Sequence, residues 1–267
     1  MRNFFLNSFK TIFDNQKGQR FLEKVHLFIL YLQNYGLSGE CDTSGEESAM
    51  KLIAKKINIK QNIIVFDVGA NIGKYSNAFV SFLKTNYIIY CFEPLNSTFE
   101  LLKKNTETNP NIKPICLALG DKTEDTFIYT NEKTNTQSSL IPRNMSHWGS
   151  EYNLSTPNKI SATTLDQFLK NYKIEYIDFL KVDVEGFEWL FFKGAIQTLE
   201  NKKIGMIQFE LGVCAVDGKY FFKDIYYLLS KNYKIYRITK NNLYEIKSYK
   251  EQYEIFLTTN YLAILID

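Results

Sequence analysis

The 267-residue chain carries 32 Lys+Arg against 29 Asp+Glu, a net charge of +3, and 45% of its residues are hydrophobic. That length and apolar content suit one large domain with a proper core, and a mild positive charge without a basic cluster gives no indication of a nucleic-acid partner. No apolar run reaches the roughly 18 residues of a membrane span. Four scattered cysteines (Cys41, Cys91, Cys116, Cys214) without a CxxC pair point away from disulfides and structural zinc, towards a reducing, cytoplasmic setting.

In chain order, Asn7, Ser8 and Lys10 interrupt any leader-type apolar core. Gln19–Tyr35 then carries Phe21, Leu22, Val25, Phe28, Ile29 and Leu32 at helical spacing. This amphipathic helix is expected to pack on the main domain, with attachment to a membrane surface as the alternative. His26, within it, reads as a packing residue. After a break at Gly36–Gly45, Ser44-Gly45-Glu46-Glu47 reads as a capping box opening a helix to about Ile57. Residues 1–60 are thus expected to form an N-terminal helical arm, and 61–267 the main domain.

From Ile63 the rhythm changes to strands alternating with helices. Strands are expected at Ile63–Val68, Tyr87–Phe92, Ile112–Leu119, Phe179–Val184, Ile204–Leu211, Lys234–Ile238 and Tyr261–Ile266. Helices are expected at Ile72–Lys84, Ser97–Asn105 with Ser97 and Glu100 as a capping box, Thr164–Tyr172 capped by Thr164, Trp189–Leu199, and Phe221–Lys231. The polar stretch Asp121–Pro157 is irregular, with room for a hairpin around Thr126–Thr130. Such alternation implies an α/β fold with a doubly wound, mostly parallel sheet, whose ligands bind beyond the carboxyl ends of the strands.

Every chemical motif falls at such an end. Asp67-Val68-Gly69-Ala70-Asn71-Ile72-Gly73 turns from a strand into a helix, with Gly69 allowing close approach of backbone to a ligand and Gly73 tight packing. Asn71 stands where a dinucleotide GxGxxG has glycine, which argues against pyrophosphate and a nicotinamide enzyme. It favours a smaller group, such as the amino-acid end of S-adenosylmethionine, whose ammonium Asp67 would hold. Glu93 ends the next strand about 20 residues later, where an acid accepts hydrogen bonds from both ribose hydroxyls. Asp121, after Ala118-Leu119-Gly120, can accept from an adenine amino group or simply form a turn.

Asp183 and Glu185 end a further strand, and Glu210 ends its neighbour. Their convergence would suit a general base or a divalent cation held by Asp183 and Glu210. Glu188 reads as a first-turn helix acid. His147, in the polar loop, is a second candidate proton acceptor, and Ser138 and Ser139 are candidates for hydrogen-bonding a ligand.

With these segments placed, the chain resembles the FkbM family of methyltransferases. The matching segments are FDVGANIGKYS (Phe66–Ser76), CFEPLNSTFELLKKN (Cys91–Asn105), ALGD (Ala118–Asp121), QSSL (Gln137–Leu140), TTLDQFL (Thr163–Leu169) and LKVDVEGFEWLFFKGA (Leu180–Ala195). The resemblance implies a Rossmann-like class I methyltransferase fold and O-methylation with S-adenosylmethionine as the cofactor. It places Asp67, Gly69, Asn71 and Gly73 at the methionine end, Glu93 at the ribose, Asp121 at the adenine, and Asp183 and Glu185 at the reaction centre. The expected acceptor is a small molecule or glycan, foremost a sugar hydroxyl in a bacterial surface polysaccharide or its nucleotide-linked precursor. A secondary metabolite, or a non-catalytic cofactor-binding role in glycan assembly, is the alternative. Nothing in the sequence sets the acceptor or the oligomeric state.

Overall fold

The computed structural model describes residues 10–37, 44–131, 138–139, 143 and 153–266. Its centre is an eight-stranded sheet. Strands β1 (Ile63–Val68), β2 (Tyr87–Phe92), β3 (Ile112–Ile115), β8 (Ile177–Val182) and β9 (Ile204–Leu211) are parallel in the order β3-β2-β1-β8-β9. Beyond β9, β12 (Thr259–Leu265), β10 (Tyr233–Ile238) and β11 (Leu243–Glu245) continue antiparallel. The chain works outward from β1 through β2 to β3, then returns to the other side of β1 with β8. The switch point therefore lies between β1 and β8, where a doubly wound sheet opens a crevice. The expected α/β architecture is thus present, its parallel half running from β3 to β9.

Burial on both faces explains the near-continuous apolar runs of these strands. β1 shows the division. Ile63 and Val65 join a cluster with Met50, Ile53, Phe79 and Leu102, whereas Phe66 and Val68 join the opposite one with Phe168, Phe191 and Phe209. The first face is covered by α2 (Glu46–Ile57), α3 (Lys74–Val80) and α4 (Asn96–Thr106). The second is covered by α5 (Leu165–Tyr172), α6 (Glu188–Lys193), α7 (Ile196–Glu200) and α8 (Phe222–Leu229). Helix α2 thus belongs to the main domain's covering layer, while α1 (Gln16–Leu32) buries only Leu30.

Several boundaries differ from expectation for identifiable reasons. α3 starts at Lys74, not Ile72, because Asn71 (φ 49°) and Gly73 (φ 84°) are left-handed and no helix can pass through them. The expected capping boxes of α2 and α4 are absent: α4 is preceded by Leu95 without a side-chain cap, Glu100 pairs with Lys103, and Glu47 pairs with Lys51. One expected helix is two, α6 and α7. Asp166 accepts hydrogen bonds from the Gln197 and Thr198 amides and so caps a second start.

The expected third strand also splits. After β3 the chain leaves the main sheet, and β4 (Ala118–Leu119) joins a second sheet in the order β4-β7-β5-β6, with β7 (Thr156–Thr163), β5 (Glu124–Thr130) and β6 (Ser138–Ser139). Within the stretch that read as irregular, Glu124–Thr130, Ser138–Ser139 and the start of β7 belong to this small sheet.

At α5 the expected cap is present, with Thr164 Oγ1 accepting from the Gln167 amide at 3.0 Å. Thr164→Ala should lower stability by about 1 kcal/mol, readable as a small drop in melting temperature. An unchanged melting temperature would mean this cap contributes nothing.

Candidate functional site

The carboxyl ends of β1, β2 and β8 and the small sheet enclose a cleft of about 720 Å³, counting its opening to solvent. Gly69, Asn71, Glu93, Asp183 and Glu185 line it together with Leu117, Ala118, Leu119 and Ile128. Residues separated by more than 100 positions in sequence thus meet at the switch point.

The floor is the β1–α3 turn. The Gly69 and Ala70 amides donate to Phe92 O, and the Asp183 amide donates to Val68 O, tying three strand ends together. Gly69 is left-handed (φ 82°), and a Cβ there would lie 1.7 Å from Asp183 O. The glycine is therefore required by the approach of the β8 backbone rather than by a ligand. Gly73 serves packing as expected, since a Cβ would meet Leu102 Cδ1 of α4 at 2.8 Å.

Asp67 does not line the cleft. By strand alternation it points beneath α3, where Oδ2 accepts from Ser76 Oγ at 2.6 Å and Oδ1 is buried without a hydrogen bond. Burial pushes its pKa up, against the pull of Lys181.

Glu93, also buried, faces the cleft. Oε2 accepts from the Asn71 amide at 3.2 Å and Oε1 from the Leu95 amide at 3.0 Å. Burial outweighs these bonds and raises its pKa to about 7. Such a carboxylate gains from any further donors that a ligand brings.

The other wall is chiefly acidic. Lys181 Nζ lies 2.8 Å from Asp183 Oδ2 and 4.8 Å over the Tyr75 ring. Burial alone would lower the lysine's pKa, but Asp183, Asp67 and Glu46 outweigh it and hold the group charged. Glu185 has φ 52°, accepts a hydrogen bond from Cys214 Sγ at Oε2, and has its pKa raised by burial and by Asp183. Glu210 is raised well above the ordinary carboxylate range by burial, then by Asp183 and Glu185. Asp183 and Glu185 line the cleft together, Glu210 is not in its lining, and the cation facing Asp183 is Lys181. Among the described residues no group of three His, Cys, Asp or Glu side chains is placed to hold a metal ion.

Glu188 is the first-turn acid of α6, as expected, but it has a second task. It is buried, accepts from the Val184 and Gly186 amides and from Tyr220 OH, and so latches the turn that presents Asp183 and Glu185. Asp121 lies outside the cleft lining, 3.6 Å from Lys193 Nζ. Ser138 lines the cleft, whereas Ser139 Oγ donates to Glu185 O at 3.4 Å. His147 and Cys41 lie outside the described residues.

Sequence reasoning missed Lys181, Arg143, Cys214, Glu46 and Tyr75. Arg143 Nε binds Asp217 and Nη1 reaches Cys214 Sγ at 3.0 Å, beside Glu185. Tyr75 OH donates to Gln208 Oε1, and Gln208 Nε2 donates to Glu46 Oε1. Of these only Lys181 was legible, as a lysine inside a mostly apolar strand, which demands a buried counter-charge.

The Methyltransferase FkbM domain model matches residues 67–237. Among curated proteins, the hexuronic acid methyltransferase AglP of Haloferax volcanii is 27% identical over 204 residues, covering 75% of this chain and 74% of that protein. Among solved structures, Methyltransferase FkbM of Methylobacillus flagellatus KT aligns with a TM-score of 0.47 at 14% identity, over 93% of this chain and 61% of that one. The O-methyltransferase from Bacillus cereus aligns with a TM-score of 0.40 at 12% identity, over 81% of this chain and 80% of that one.

Proposed function

The chain belongs to the FkbM methyltransferase family, and from that premise we propose that it transfers a methyl group from S-adenosylmethionine to a sugar hydroxyl. The proposed sugar belongs to a surface polysaccharide, such as a capsule or lipopolysaccharide, or to its nucleotide-linked precursor. The observation that carries this reading is the single cleft that holds Glu93 at one end and Asp183 with Glu185 at the other. The sugar acceptor rests on the likeness to a protein named as a hexuronic acid methyltransferase.

The residues present fit the cofactor. Glu93 lies in the cleft with a burial-raised pKa that two donated ribose hydroxyl bonds would relieve. Leu117, Ala118, Leu119 and Ile128 offer an apolar wall for a planar base, a role in which they replace Asp121. Gly69 and Asn71 would flank the methionine end, while Asp67 and Gly73 hold the turn from beneath.

When bound, S-adenosylmethionine supplies a methyl group on a sulfonium, already a good leaving group. A sugar hydroxyl is a poor nucleophile near pH 7, so this chain must align it and accept its proton. Asp183 takes that proton on Oδ1, while Lys181 holds Oδ2. Glu185 keeps the neighbouring surface polar and is the second proton acceptor.

The test is calorimetric titration with S-adenosylmethionine across pH, followed by transfer of labelled methyl to a glycan fraction and identification of a methylated sugar. Hydroxyl donors favour the ionised Glu93, whose ligand-free pKa is about 7. Affinity should therefore be constant above that pH and fall by up to roughly tenfold per unit below it. Glu93→Gln should bind weakly and without this dependence. Absence of binding would sink the cofactor reading. Binding with label appearing only on non-sugar acceptors would sink the acceptor reading alone.

A further inference from the structure

Helix α1 does not pack on the domain as its apolar pattern leads one to expect. Phe21, Phe28 and Leu32 are 55%, 60% and 71% exposed, and Ile29 is exposed beside them. With Val25 these residues recur at i, i+4, i+7, i+8 and i+11, a single stripe along a helix roughly 25 Å long. Phe13 stacks on Phe21 and extends the stripe towards the N-terminus. Lys17, Arg20 and Lys24 flank it, and residues 10–32 hold four basic residues (these with Lys10) against two acidic ones, Asp14 and Glu23.

The anchoring contacts found among the described residues are at the C-terminal end of the arm. Asn34 Nδ2 donates to Ser44 O and Ile238 O, the Gly36 amide donates to Thr258 O, and Arg237 stacks over Tyr35 at 4.4 Å. Ile238 ends β10 and Thr258 precedes β12. Both lie at the carboxyl edge of the parallel strands, because β12 runs antiparallel with Thr259 opposite Leu211. The arm therefore leaves the edge of the sheet at which the cleft opens.

We infer that α1 lies in the surface of an anionic phospholipid bilayer, its apolar stripe among the acyl chains and its lysines and arginine at the headgroups. An exposed apolar stripe with a basic flank is the signature of an interfacial helix. Charge complementarity selects this occupant over a second copy of the chain, since two such arms packed together would juxtapose the same positive flanks. Docking would turn the cleft's edge towards the membrane and restrict the enzyme to acceptors presented there. Among the described residues no helix is long and apolar enough to cross a membrane, so attachment through α1 is peripheral.

The test is flotation of the full chain with vesicles of phosphatidylcholine, with and without phosphatidylglycerol. Binding is expected only to the anionic vesicles and should weaken with salt. The double variant Phe21→Glu/Phe28→Glu and the triple variant Lys17→Glu/Arg20→Glu/Lys24→Glu should each cut binding at least about tenfold. Their melting temperature and S-adenosylmethionine affinity should be unchanged, because these side chains are solvent-exposed. Equal or absent binding to both vesicle types would overturn the inference. So would variants that bind like the parent, or a dimer seen by light scattering that Phe21→Glu/Phe28→Glu dissociates without any vesicle binding.

Discussion

Gly69→Ala is expected to cost at least about 3 kcal/mol of stability and to lower S-adenosylmethionine affinity by two orders of magnitude or more. Two effects add. At φ 82° a side chain is strained by roughly 1–2 kcal/mol whatever the space around it. The added Cβ would also lie 1.7 Å from Asp183 O and 2.8 Å from Asp183 C, backbone atoms that cannot rotate aside. Relief requires β1 and β8 to separate at the point where the Asp183 amide binds Val68 O and the Gly69 amide binds Phe92 O. That movement carries Asp183 and the cleft floor with it.

Gly73→Ala is the control, because its strain is similar but its Cβ meets side-chain atoms, chiefly of Leu102 and Thr106, rather than backbone. It should lose about 1–2 kcal/mol and keep most of its affinity. Thermal melting and calorimetry of both variants read the difference, about 6–12 °C for Gly69→Ala at this size. Equal behaviour of the two would refute the close approach of β1 to β8.

This glycine also shows how far the sequence could be read. A turn needing Gly69 was visible in Asp67–Gly73, but its reason was not, since the atom that excludes a side chain belongs to a residue 114 positions later. Strands buried on both faces, such as Ile63–Val68 and Ile204–Leu211, were legible to the residue because their near-continuous apolar runs stand out, with Asp67, Gln208 and Glu210 as the polar exceptions near their carboxyl ends. Of the small sheet only the hairpin around Thr126–Thr130 was legible. β5 and β7 are polar on one side, and β7 pairs with β5 across a stretch rich in Thr, Ser and Asn.

α1 misled in the opposite sense. Helical apolar spacing reports a face that avoids water, and it is silent on whether protein or something else covers that face. In the site, the acids at strand ends were readable one at a time. Their partners were not, because Arg143, Cys214, Glu46 and Tyr75 carry no local pattern that separates them from ordinary surface or core residues.

The partner of Asp183 also decides how the second large effect should be tested. Asp183→Asn should lower turnover by about two to four orders of magnitude, the usual range for removing a positioned general base. Cofactor affinity should stay within about threefold, since the amide keeps the carboxylate's shape and its backbone still binds Val68 O.

Loss of activity alone would not identify a base, because Asp183 also pairs with buried Lys181, and breaking a buried pair can destabilise the whole strand end. Two measurements separate the roles. If Asp183 only balances Lys181, then Lys181→Met in the Asp183→Asn background should restore turnover along with stability. If Asp183 takes the proton, the double variant recovers melting temperature and remains inactive. An acceptor with an acidified hydroxyl should also rescue Asp183→Asn in part, because it no longer depends on a base. Turnover near the parent's in Asp183→Asn would transfer the role to Glu185, which lines the same wall of the cleft and whose pKa is raised by burial. Glu185→Gln would then carry the loss.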